Sequence, residues 1–143
     1  MCRMTCLRLF LLLALSCFVC FGGCDTPRQL ISGTDLPHIP SVTLTSSEVT
    51  KSRDRIPTEG TFVFAGGVYD ALERLRWISR AYVDAGWVPE PPEGSPGQAS
   101  QIFSKSSSKL ELKRSVKITA TASRETGSVV VKLYSESIDS SSN

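Results

Sequence analysis

The thiols are the most chemically capable side chains here, and Cys2, Cys6, Cys17, Cys20 and Cys24 all lie before position 25. A thiol that ligates a metal or closes a disulfide needs partners in a packed body. No cysteine follows Cys24, and the single histidine, His38, sits among prolines in Leu36-Pro37-His38-Ile39-Pro40. The close spacing of Cys17, Cys20 and Cys24 therefore has no further ligands with which to make a zinc site. A Ser-His-Asp relay would have to recruit His38, and there is neither a G-x-S-x-G elbow nor a Gly-rich phosphate loop after a strand. The reading expects no metal, no cofactor and no enzyme, with a small hydrolase ranked third behind two binding readings. Acylation is the chemistry left to a thiol at this end of the chain.

What precedes Cys24 fits that chemistry. Met1 to Arg8 carries two arginines and no acid, and Leu9 to Phe21 is an uncharged apolar run followed by Gly22 and Gly23. These are the parts of an export signal in residues 1–23. The alternative is a retained anchor, but thirteen helical residues span only about 20 Å of a hydrocarbon core about 30 Å thick.

Phe21-Gly22-Gly23-Cys24 resembles the lipobox of bacterial lipoproteins, with Phe21 where leucine is usual. The resemblance implies cleavage before Cys24 and a diacylglycerol on its thiol, hence a stable lipid anchor, since two or more acyl chains hold a protein at a membrane. It also implies a domain facing the periplasm or exterior. Asp25 resembles the inner-membrane retention signal of some didermal bacteria, and it equally suits the start of a solvated tether, so the choice of membrane stays open.

Of the 16 Lys and Arg residues, Arg3 and Arg8 lie in the signal, which leaves 14 basic against 14 acidic residues after position 24. A neutral body gives no general reason to expect nucleic acid. The length fits one domain with one modest core. Residues 24–40, with Pro27, Gly33, Pro37 and Pro40, read as the lipidated cysteine and a tether; residues 41–134 read as the domain; residues 135–143, with five serines, read as a disordered tail. The domain is expected to be a monomer.

Within the domain, Val42 and Leu44 alternate with threonines as a short strand, and Lys51 to Glu59 reads as a charged loop. Thr61 to Ala65 is apolar on both faces and reads as a central strand. From Val68 to Ala85 the period turns helical, with Val68, Leu72, Leu75, Ile78, Tyr82 and Ala85 on one stripe. Gly86 suits a left-handed helix stop, with Trp87 packing back onto Tyr82. Pro89 to Gly97 reads as a loop, and Ile102-Phe103 as a short strand before a serine turn. Leu110 to Ala122 alternates, except that Arg114 falls among the apolar positions, so a bulge is expected near Arg114-Ser115. Val129 to Tyr134 is the last strand. The expected class is α+β: one amphipathic helix on an antiparallel sheet of four to five strands, in the order β-β-α-β-β-β. Tyr82-x-x-x-Gly86-Trp87 with Phe103-x-Lys105 resembles the folded part of small bacterial lipoproteins of uncharacterised function, over roughly residues 37–134. That resemblance implies no catalytic residues.

Two surface features remain. Trp77 falls on the polar side of the helix near Arg80, where it is either a partner contact or a ring stacked on arginine stems. Lys109, Lys113 and Lys117 form a row that could meet an anionic surface, although solvation alone explains an exposed row. The leading function is a membrane-tethered accessory or scaffolding lipoprotein with an envelope protein as partner. The alternative is a binder of small ligands or envelope polymers.

Overall fold

The computed structural model describes residues 30–108 and 110–137. The expected signal, Cys24, Lys109 and the end of the expected tail lie outside these residues. β1 (Val42–Arg53) and β2 (Ile56–Gly66) precede the helix α1 (Ala71–Asp84). After it come β3 (Val88–Pro89), β4 (Glu93–Gly94), β5 (Gln98–Ser107), β6 (Leu112–Thr121) and β7 (Gly127–Ser137). The strands form one seven-stranded antiparallel sheet in the order β1-β2-β7-β6-β5-β3, with β4 also on β5.

This overturns the expected α+β class with four to five strands: the described residues are mostly sheet, with one helix. Two segments account for the difference. Lys51 to Glu59 is the tip of a hairpin, because the turn residues Asp54 and Arg55 take φ of 51° and 65°, the twist that lets a two-residue loop continue both strands. Backbone pairing does not depend on side-chain charge, so an exposed and charged segment can still be strand. Pro89 to Gly97, expected as loop alone, contributes two short ladders that cover the β5 edge, supported by a 2.8 Å bond from Gln101 Nε2 to the Glu90 carbonyl.

Asp70 starts α1: its Oδ1 accepts from Glu73 N at 2.9 Å, satisfying one of the free donors of the first turn. Ala71, Leu75, Ile78 and Tyr82 are buried against the sheet. The helix stops as a Schellman motif, with Gly86 N bonded to Val83 O at 2.9 Å and Trp87 N to Tyr82 O at 3.0 Å. Gly86 has φ of +84°, a conformation costly for any residue with a Cβ. Trp87 then lies with its ring centroid 6.0 Å from that of Tyr82.

The domain begins earlier than position 41. Leu30 bridges Pro37, and Ile31, Leu36 and Ile39 are fully buried beside Phe62, Val116 and Leu133 in the core. The expected tether therefore folds, at least from Leu30, because three apolar side chains spaced along it cover sheet surface that α1 leaves bare. At the other end β7 runs on to Ser137, past the expected boundary at Tyr134.

Candidate functional site

β6 carries charge to both faces of the sheet. Its even-numbered residues point inward: Arg114, Val116, Ile118 and Ala120 are buried, Arg114 as deeply as its apolar neighbours. The expected bulge at Arg114 is absent; β6 keeps register with β5 and β7 throughout, and the irregular residue is Glu111, with φ of 51°, just before the strand. A buried guanidinium needs a carboxylate. Asp35 supplies it with two bonds, Arg114 Nη1 to Oδ1 at 2.8 Å and Nη2 to Oδ2 at 2.5 Å. Burial alone would push the Asp35 pKa up, but the Arg114 hydrogen bonds and charge outweigh it and hold the carboxyl below its ordinary value.

Trp87, Tyr82 and Lys105 surround this pair. Arg114 Cζ lies 5.4 Å and Lys105 Nζ 5.8 Å from the Trp87 ring centroid, and Lys105 Nζ donates to the Ala85 carbonyl at 2.8 Å. Tyr82 Oη, Trp87 Nε1 and Arg114 Nε are buried without a partner in the structure. Burial, with the nearby Asp35 charge, pushes the Tyr82 phenol well up, so it stays protonated. The cluster thus gathers donors around one saturated, weakly basic carboxylate, an arrangement that braces the 30–40 segment against the sheet and offers no poised general base. In the sequence Arg114 shows only as a break in pattern, and Asp35 falls in the expected tether. The available signal was parity: Arg114 is in phase with the buried residues, so it points inward and must find an acid.

On the outer side of α1, Trp77 is 58 % exposed and Arg80 Cζ lies 5.5 Å from its ring centroid. The structure thus brings the two expected contact residues together, and the arginine stacking does not cover the ring. An open cleft of about 350 Å³ is lined by Pro40, Ser41, Tyr69, Asp70, Glu73, Arg74 and Trp77. Arg74 bridges its floor, donating to the carbonyls of Pro40 and Gly67. Tyr69, which belongs to no apolar period in the sequence, is 80 % exposed at its rim.

The expected lysine row is rearranged on the open face of the sheet. Lys113 stands opposite an acid, Glu136, whereas Lys117 stands opposite Lys132. Among the described residues no group of three or more His, Cys, Asp and Glu side chains could hold a metal, and no helix is long and apolar enough to cross a membrane. His38 is half-buried in the packed N-terminal segment. Comparison with protein-family models, curated proteins and solved structures gave no match.

Proposed function

We propose that the chain is a membrane-tethered lipoprotein of the cell envelope, acylated at Cys24, whose domain is a non-enzymatic accessory or scaffolding module that binds a protein partner. The observation that carries the binding role is the Trp77-Tyr69 cleft: two large aromatic rings stand exposed, Trp77 on a helix that buries Leu75, Ile78 and Tyr82 on its other side and Tyr69 just before the Asp70 cap of that helix. Exposed aromatics beside arginine are the residue types that anchor protein interfaces. The tethering role rests on the lipobox resemblance. Packing from Leu30 onward sharpens it, since six residue steps from Cys24 reach at most about 20 Å, which would hold the cleft-bearing body close to the bilayer.

The test is the mass of the membrane-extracted chain together with its crosslinked partners. The expected product begins at Cys24 and carries diacylglycerol, and Cys24→Ala stays unprocessed. A cleaved, diacylated Cys24→Ala product would refute the anchor. A crosslinking pattern unchanged in Trp77→Ala would remove the interface.

A further inference from the structure

We propose that the open face of the sheet binds an acidic saccharide unit, whose carboxylate or phosphate is held between Lys117 and Lys132. The two residues are direct cross-strand partners on β6 and β7, and both are exposed. Side chains so paired have their Cβ atoms about 5 Å apart, and like charges in that position repel. Neither lysine has a carboxylate within ion-pair distance among the described residues. Along the same row the order is Glu48, Thr61, Lys132, Lys117, Ile102, so the acid on this row stands two strands, roughly 10 Å, from Lys132. Glu93 lines a cleft of about 470 Å³ together with Lys117, Ser100 and Thr119, and makes no ion pair with the lysine.

The surroundings select the carrier of that anion. Two positions along from the lysines, on the same face, Tyr134 on β7 faces Ser115 on β6, and Ser115 pairs with Ser104 on β5. Tyr134 is 47 % exposed. On the other side lie Thr119 and Ser100, paired with each other, beside Val130. An aromatic ring with a polar tip, flanked by hydroxyls, offers a sugar one surface to stack on and several groups to hydrogen-bond. Glu48, Glu136 and Glu93 stand farther out around the lysines and disfavour a densely charged polyanion, so the fit is to a ligand with an acid group on an otherwise neutral ring. A second copy of the chain is a poor occupant, because two-fold stacking of this face would bring further lysines against the pair.

The test is calorimetric titration of the full chain in detergent micelles with aldotetraouronic acid, a neutral xylose chain bearing a single uronate, with neutral dextran oligomers and anionic phospholipid vesicles as separate arms. Saturable binding of the singly acidic oligosaccharide alone is expected, weakening with salt. Lys117→Ala/Lys132→Ala should weaken it at least tenfold and Tyr134→Ala several-fold, while Lys113→Ala, four positions from Lys117 and opposite the acid Glu136, should leave it within twofold. Lys132→Glu should abolish binding and at the same time raise the denaturation midpoint, because it turns a repulsive pair into an attractive one. Retained affinity in the double alanine variant, equal binding of dextran, lysine-dependent capture by vesicles instead of the saccharide, or a lowered midpoint in Lys132→Glu would each overturn the proposal.

Discussion

Arg114 and Lys117 sit three residues apart on one strand and meet opposite fates. Arg114 faces inward, is 2 % exposed and is matched by the Asp35 carboxylate; Lys117 faces outward and is matched by another cation. The inward face cannot leave a charge alone, since an unpaired buried charge costs several kcal/mol. The outward face can, because water screens it. α1 repeats the contrast with apolar groups: Leu75 is fully buried, whereas Trp77, two residues on, is exposed. The inward positions are thus explained by stability, and the outward exceptions are the places to look for binding.

Substitutions along α1 and β6 should separate the two faces. The largest effect is expected at Leu75→Ala, about 2 to 5 kcal/mol of stability by chemical denaturation, from lost burial and the cavity left behind. Asp35→Ala should follow at about 2 to 3 kcal/mol: removing one partner strands the Arg114 charge, and the 39 % exposure of the Asp35 side chain places the loss toward the lower end. The same pair sets an acid limit. Because the Asp35 carboxyl is held below its ordinary 3.8, its contribution is present above that pH and is lost as pH falls through the folded-state value. Stability should therefore drop more steeply below about pH 4 in the parent chain than in Asp35→Ala. Trp77→Ala should cost at most about 0.5 kcal/mol, and a larger loss would mean that something covers the outer face of the helix.

The helix was legible in the sequence because its signals are local: a 3.6 period in Leu75, Ile78 and Tyr82, and the Gly86-Trp87 stop. The alternation of β6 was legible for the same reason. The full extent of the sheet was not, because Lys51 to Glu59 and Pro89 to Gly97 become strand through backbone pairing alone, and neither carries an apolar period of its own. Nor was the early start of the domain: the four helix-disfavouring residues between Pro27 and Pro40 concealed Ile31, Leu36 and Ile39, whose burial depends on bare sheet beside α1. The Trp77-Arg80 pair was legible from helical phase alone. Lys132 was missed because strand register, which no single strand reveals, is what sets it opposite Lys117.

Two double-mutant cycles measured by chemical denaturation, Asp35/Arg114 and Lys117/Lys132, each to alanine, test the contrast between the faces most directly. The account predicts couplings of opposite sign: a favourable one of about 2 kcal/mol across the buried pair, and an unfavourable one of a few tenths of a kcal/mol across the lysines that shrinks as salt is added. A favourable or zero coupling between Lys117 and Lys132 at low salt, or no coupling between Asp35 and Arg114, would contradict it.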